Sequence, residues 1–120
     1  MIANLTQHRA TKEQVEAGVV DLVERENEIK ALLTFDDVPS LEEMNDRAER
    51  LARIVKEEGT FSEVMIGGAP FFMSTLERVL KKEGFQPVYA FSKRVVVEEK
   101  EENGEVVKKN VFKHQGFVRV

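Results

Sequence analysis

The sequence predicts a small three-layer α/β domain of Rossmann-like connectivity, with a mainly parallel sheet and a C-terminal antiparallel β-hairpin. Short apolar runs alternate with helical patterns along residues 1–91, the order that builds a parallel sheet joined by helical crossovers. Asn103-Gly104 lies between two valine-rich arms, which is the pattern of a hairpin turn. No linker, repeat or seam divides the 120 residues, so residues 1–120 read as one domain.

IANLT, residues 2–6, predicts the first strand. Thr11 followed three residues later by Gln14 forms a capping-box pattern, so a helix starts there. Gly18 interrupts it, and residues 19–33 either continue past a kink or begin a second helix. Val15, Val19, Leu22, Val23, Ile29 and Leu33 fall near helical spacing. Residues 31–37 are ambiguous, because Leu32, Leu33, Thr34 and Phe35 also suit a buried strand. Pro39 pushes Val38 from helical angles, Ser40 is a good N-cap, and Glu43 can close its box. The helix over 41–58 sets Leu41, Met44, Ala48, Leu51, Ala52 and Val55 on one face, with Gly59 placed to end it.

A strand follows at 61–66, then a helix at 71–82 with Phe72, Leu76, Val79 and Leu80 inward. Of Phe71 and Phe72, one must face away from the core and is a candidate for stacking or an interface. Lys81 and Lys82 suit the helix's negative pole, and Gly84 ends it. QPVYAF, residues 86–91, starts with the proline a strand tolerates at its first positions. Asn-Gly favours the mirror-image turn, so residues 93–101 should pair antiparallel with 105–113. Residues 116–120 extend that arm or add a strand. Arms this long need support, from the domain itself or from a second subunit.

Composition excludes several functions. There is no cysteine, hence no disulfide, thiolate chemistry or cysteine-ligated zinc. No apolar run approaches the roughly 20 residues that span a bilayer, and the N-terminus turns polar too soon for a signal peptide. The expectation is a cytoplasmic protein with no membrane partner. A net charge of −4 and the lack of a basic recognition helix disfavour long duplex nucleic acid. The charge is uneven: residues 1–92 hold 11 basic and 17 acidic side chains, residues 93–120 hold 7 and 5. The tail can therefore meet an anion locally.

Ligands of open parallel sheets gather beyond the carboxyl ends of the strands. Gly67 and Gly68 fall at such an end, just before Pro70 at a helix start. Free amides and the helix dipole there favour a phosphate or carboxylate. The alternative is plain turn chemistry, since GGAP is neither GxGxxG nor a Walker-A loop. Thr6, Gln7 and His8 follow the first strand: Thr6 can donate and accept, Gln7 can read an amide edge, and His8 can move a proton near neutral pH. A polar loop that only caps backbone is the other reading. Ser92, Lys93 and Arg94 follow the strand over 86–91; Ser92 can bond phosphate or ribose, and the two cations can hold anionic oxygens. They can equally be a solvated start to the hairpin. Lys113 and His114 either return toward the cleft or lie at the far end. Asp36 and Asp37 either bind Mg²⁺ or serve as loop or helix-cap residues; one pair is too few ligands to define a metal site, and no metal or other cofactor is predicted.

NLTQH, MIGGAPFF, PVYAFSKRVVVEE and VFKHQGFV together resemble small bacterial and prophage proteins related to CRISPR accessory proteins of antiviral defence. The resemblance spans most of the chain. It implies a compact Rossmann-like fold and, as in some relatives, binding or ring-nuclease-like cleavage of cyclic oligoadenylates by a homodimer. The positions it touches are Thr6 to His8, Gly67, Gly68 and Ser92 to Arg94. It assigns a known catalytic residue to none of them.

Two functions follow. The first is binding of a nucleotide or other phosphate-bearing small ligand, such as a cyclic oligonucleotide, at the carboxyl edge of the sheet. Metal-independent phosphodiester cleavage can accompany it: a ribose 2′-OH attacks the adjacent phosphate, His8 shuttles the proton, and Arg94 with Lys93 stabilises the developing charge. The second is a non-enzymatic homo-oligomerising protein that uses the hairpin, with Val95, Val97, Val106 and Val111 as its apolar face. A conventional dehydrogenase is disfavoured by the missing fingerprint and second domain. The first function expects Thr6, Gly68, Ser92 and Arg94 at one mouth.

Overall fold

Strand β1 (Ile2–Leu5) buries all four of its side chains, and the sheet grows from both of its edges. The computed structural model describes residues 1–120. On one side β1 pairs in parallel with β2 (Val19–Asp21); on the other it pairs in parallel with β3 (Glu63–Ile66). β3 pairs in parallel with the start of β4 (Gln86–Lys100), and β4 runs antiparallel to β5 (Val106–Arg119). The strand order is β2-β1-β3-β4-β5. Helices α1 (Lys12–Glu16), α2 (Glu26–Leu33), α3 (Leu41–Glu58) and α4 (Pro70–Lys82) connect the first four strands. No helix is long and apolar enough to cross a membrane.

Alternation along the strands sorts the core. Ala3, Leu5, Val64 and Ile66 point to the face covered by α2, α3 and α4, where they join Ile29, Leu51, Val55, Phe72, Leu76 and Leu80 in the main core. Each fully buried large side chain contributes roughly 1.5–3 kcal/mol. Ile2, Val19, Met65 and Val88 point to the opposite face and form a small cluster closed by Ala10 and Phe117. α1 connects β1 to β2 but buries no residue. The three-layer expectation is therefore met only in its coarse form: one mostly parallel sheet curls into a half-barrel with helices packed against it.

Local signals placed several elements. Thr11 and Gln14 make the reciprocal capping box, and α3 spans the expected residues. Ser40 accepts from the Glu43 N–H at 3.1 Å, but the Glu43 carboxylate turns to Arg47 at 2.9 Å instead of closing the box. Phe72 is fully buried while Phe71 is exposed and stacks edge-on against Phe35, with ring centroids 5.2 Å apart.

The second strand is where sequence and structure part. Residues 19–21 are β2, not helix, and residues 31–35 end α2 and leave it without forming a strand. Gly18, at φ +105°, stops α1 and turns the chain into β2. A three-residue strand is too short to display a period of two. The helical spacing of Val15 and Val23 was fortuitous, since both are exposed.

The hairpin keeps its expected register, with Lys93 opposite Lys113, and residues 116–119 extend the same strand. Its turn differs. Gly104 N–H bonds the Glu101 carbonyl at 2.9 Å, Glu101 and Glu105 close at 2.8 Å, and only Gly104 takes positive φ. That is a three-residue turn with a left-handed glycine, not the mirror-image turn, which needs positive φ at Asn103 as well. Val106 sits opposite Lys100, so alternation puts it on the other face from Val95, Val97 and Val111; Val107, opposite Glu99, takes its place.

β3 accompanies β4 only as far as Val88. Beyond Ser92 and His114 the two strands leave the sheet as an unsupported arm. The radius of gyration is 17.1 Å, whereas a compact chain of this length has about 14 Å.

This division of core and arm predicts unequal responses to truncation. Phe72→Ala should cost about 3–5 kcal/mol in urea unfolding. Phe112→Ala, on the exposed arm, should stay within about 0.5 kcal/mol.

Candidate functional site

The connection after β1 leads through α1 to β2 on one side, while β3 lies on the other side and its own connection departs through α4. The loops therefore separate beyond the carboxyl ends of β1 and β3, which is the topological switch point of the sheet. A cleft of about 430 Å³ opens there. Thr6, Gln7, His8 and Arg9 line it from the β1 loop, Thr11 and Gln14 from α1, Met65 to Gly68 from β3, and Tyr89 and Ala90 from β4.

The β1 loop is fixed from below by Asn4, the one buried residue with a polar side chain. Its amide donates to the His8 carbonyl at 2.8 Å and to Asp21 Oδ1 at 2.7 Å. Its oxygen accepts from the Thr6 N–H at 2.9 Å and the Thr6 hydroxyl at 2.7 Å. Asp21 Oδ1 also accepts from the Ala10 N–H at 3.0 Å. Thr6 is thus a structural pin at the floor of the cleft. Gln7 donates to Thr34 Oγ1 at 2.9 Å, which ties the loop to the end of α2.

His8 is exposed, and its imidazole has no hydrogen bond within the chain. Arg9 reaches Glu26 at 3.2 Å. The hydrogen bond from Arg9, seconded by one from Lys30, holds the Glu26 carboxyl below the usual carboxylate range. Tyr89 donates its hydroxyl to Glu77 at 2.7 Å; burial, then that carboxylate, pushes the phenol well above its ordinary value.

Gly68 has φ +148°, which favours glycine; Gly67 carries no such demand, since a Cβ there would meet only the Thr6 methyl at 3.7 Å. α4 starts at Pro70 with no side-chain cap and no acidic residue in its first turn. No hydrogen bond within the chain takes the N–H groups of Gly67, Gly68, Ala69 or Phe71. Two of these donors, at Gly67 and Gly68, belong to residues that line the cleft, and the other two follow at the positive end of a 13-residue helix.

Thr6, Gln7, His8, Gly67 and Gly68 come together as expected, and Ser92, Lys93 and Arg94 do not join them. β4 continues past the sheet edge, through a register shift between Phe91 and Ser92, so these three belong to the arm, opposite His114, Lys113 and Phe112. The Arg94 guanidinium lies 5.6 Å from the centre of the Phe112 ring. His114 stays at the root of the arm, where its N–H bonds Glu13 at 3.1 Å and its ring packs on Phe117. Asp36 and Asp37 follow a helix and border a separate, mostly apolar cavity with Phe35, Val38 and Phe71. No group of three His, Asp or Glu side chains is placed to hold a metal ion.

Sequence reasoning missed Asn4, Arg9, Asp21 and Tyr89. Asn4 carried a signal, a polar side chain inside an apolar strand. Asp21 and Tyr89 carried none until the strand register set them in place.

The chain belongs to the family described as the uncharacterized protein MJ1673 family, whose model matches residues 1–118. No curated protein and no solved structure matches it.

Two outcomes follow from these contacts. Asn4→Ala strips Asp21 and three loop groups of a buried partner, and should cost about 1–3 kcal/mol or more in urea unfolding. Glu26 has a depressed folded pKa, so its contribution to stability is complete above its ordinary value of 4.5 and is lost as pH falls through the lower folded value. Acid titration followed by NMR should show Glu26 protonating below that value and Arg9 released from it, and Glu26→Gln should remove this step.

Proposed function

We propose that this member of the family binds a nucleotide or another phosphate-bearing small ligand in the cleft between β1 and β3. The observation that carries the reading is the unpartnered N–H groups of Gly67 and Gly68, two residues that line the switch-point cleft at the open start of α4, with the free imidazole of His8 in the same lining. A phosphate there would accept from the backbone, and the cleft volume leaves room for a nucleoside. Gln14 and Tyr89 supply further wall for the base or sugar. The fold reading that accompanies this is Rossmann-like, supported by parallel strands on both sides of β1 and a connection that reverses direction there. The resemblance to CRISPR accessory proteins adds a ligand class, cyclic oligoadenylate, and a setting, antiviral defence in the cytoplasm.

Metal-independent phosphodiester cleavage is the narrower form of the proposal. His8 keeps its role as proton shuttle, because its ring is free and at the rim. Arg94 and Lys93 stand on the arm, so charge stabilisation within one chain falls to the α4 amides and to Arg9. A second reading, a homo-oligomerising protein without enzymatic activity, is favoured by the valines that the arm presents on one face with no covering layer, Val95, Val97, Val107 and Val111.

Titration with mono-, di- and cyclic nucleotides, followed by thermal unfolding, tests the binding. A ligand at a hundred times its Kd should stabilise the chain by about 2.7 kcal/mol. Gly68→Val should weaken that effect by disturbing the amides, and His8→Ala should retain binding while abolishing any cleavage. No shift with any of these ligands rejects the nucleotide reading.

A further inference from the structure

We infer that the arm is a self-complementary surface that pairs, antiparallel and face to face, with the arm of a second copy of this chain. This gives the second reading above its geometry and does not depend on the cleft. The strand register sorts the arm into two faces. From root to tip, the face continuous with Tyr89 carries the cross-strand rows Lys93/Lys113, Val95/Val111, Val97/Lys109 and Glu99/Val107. Glu101 and Glu105 continue that alternation at the neck of the turn, joined by their backbone bond of 2.8 Å. The opposite face sets no like charges against each other: its rows are Arg94/Phe112, Val96/Asn110, Glu98/Lys108 and Lys100/Val106, with the Arg94 guanidinium over the Phe112 ring.

The first face is built of like charges set against each other. Lys93 faces Lys113 at the root, and Glu101 faces Glu105 at the tip. Directly opposed like charges destabilise a strand pair. No ion pair within the chain relieves either row, whereas the intervening Glu99 and Lys109 bridge each other at 2.8 Å. The two rows have opposite sign and flank a patch of four valines.

Symmetry supplies the missing partners. A twofold axis through the Val97/Lys109 row carries residue 93 onto 101 and 113 onto 105. It likewise carries 95 onto 99 and 111 onto 107. Two lysines of each copy then meet two glutamates of the other at both ends, some 26 Å apart at about 3.3 Å per residue. Between them Val97 and Lys109 each meet their own copy, Val111 meets Val107 and Val95 meets Glu99; each Lys109 keeps its ion pair with Glu99 of its own chain at 2.8 Å, and the valines are shielded from water by the second arm. An isologous interface needs this self-complementarity, and a foreign partner would not. Pairing also supports an arm that a two-stranded ribbon would leave marginal in water.

Charge exchange tests the proposal. Sedimentation velocity should show the unaltered chain as a dimer at micromolar concentration. Lys93→Glu/Lys113→Glu and, separately, Glu101→Lys/Glu105→Lys should each raise the dimer dissociation constant by roughly tenfold or more. Mixing the two variants should restore a dimer containing one copy of each, because both ends are then complementary again; restoration also shows that both variants fold. A monomeric unaltered chain, variants that dimerise undiminished, open-ended association through the strand edges, or a mixture that stays monomeric would each overturn it. Nucleotide-dependent thermal shifts read the cleft alone, so failure there and failure here are separate results.

Discussion

The geometry of the cleft depends on a single buried amide. Asn4 sits in a strand whose other three residues are apolar, and it uses both N–H groups and its oxygen to join β1, β2 and the loop between them. A buried polar group without partners is costly, so the loop can leave this position only by giving up several hydrogen bonds together. The backbone from Thr6 to Ala10 is thereby shaped at the carboxyl edge of the sheet, and His8 and Arg9 are presented at its rim.

Across the cleft the constraint is of the opposite kind. The α4 start is left open, with an alanine at its cap position and a proline at its first residue. A serine or aspartate at position 69 would occupy some of those N–H groups and weaken their field. The chain thus pairs a saturated wall on the β1 side with an unsaturated one on the β3 side. Such an arrangement suits the anion binding proposed for the cleft of an acidic chain. The favourable potential is confined to the helix end, while the net charge of the chain remains −4.

The arm and the body obey different balances. In the body, helices and the sheet face they cover together form a core of nineteen buried side chains, and the smaller opposite cluster has only four. The arm has backbone pairing but no covering layer, and large apolar side chains such as Val96 and Phe112 stand in solvent. Regions with few buried apolar groups open first, so the arm has the lower local stability of the two. It is also where the basic side chains omitted from the cleft are found. Ser92, Lys93 and Arg94 occupy strand positions just past a register shift because β4 runs on beyond the sheet edge.

By itself the sequence determined what local chemistry controls. The capping box at Thr11, the amphipathic helix over 41–58, the Pro70 helix start and the antiparallel register through Lys93 and Lys113 all follow from side chains close together along the chain. It also placed Thr6, Gln7, His8, Gly67 and Gly68 at strand ends, where they share a cleft. Only the tertiary structure decided the rest. β2 exists because Val19 to Asp21 find an edge of β1 to bond, a choice that three residues cannot advertise through periodicity. Asn4 and Asp21 act together because parallel pairing sets them opposite each other, seventeen residues apart in sequence. Ser92 to Arg94 left the cleft because the hydrogen bonds of β5 extend β4 beyond the last residue that β3 can support. Strand pairing is a long-range bond, and its partner cannot be read from the segment that awaits it.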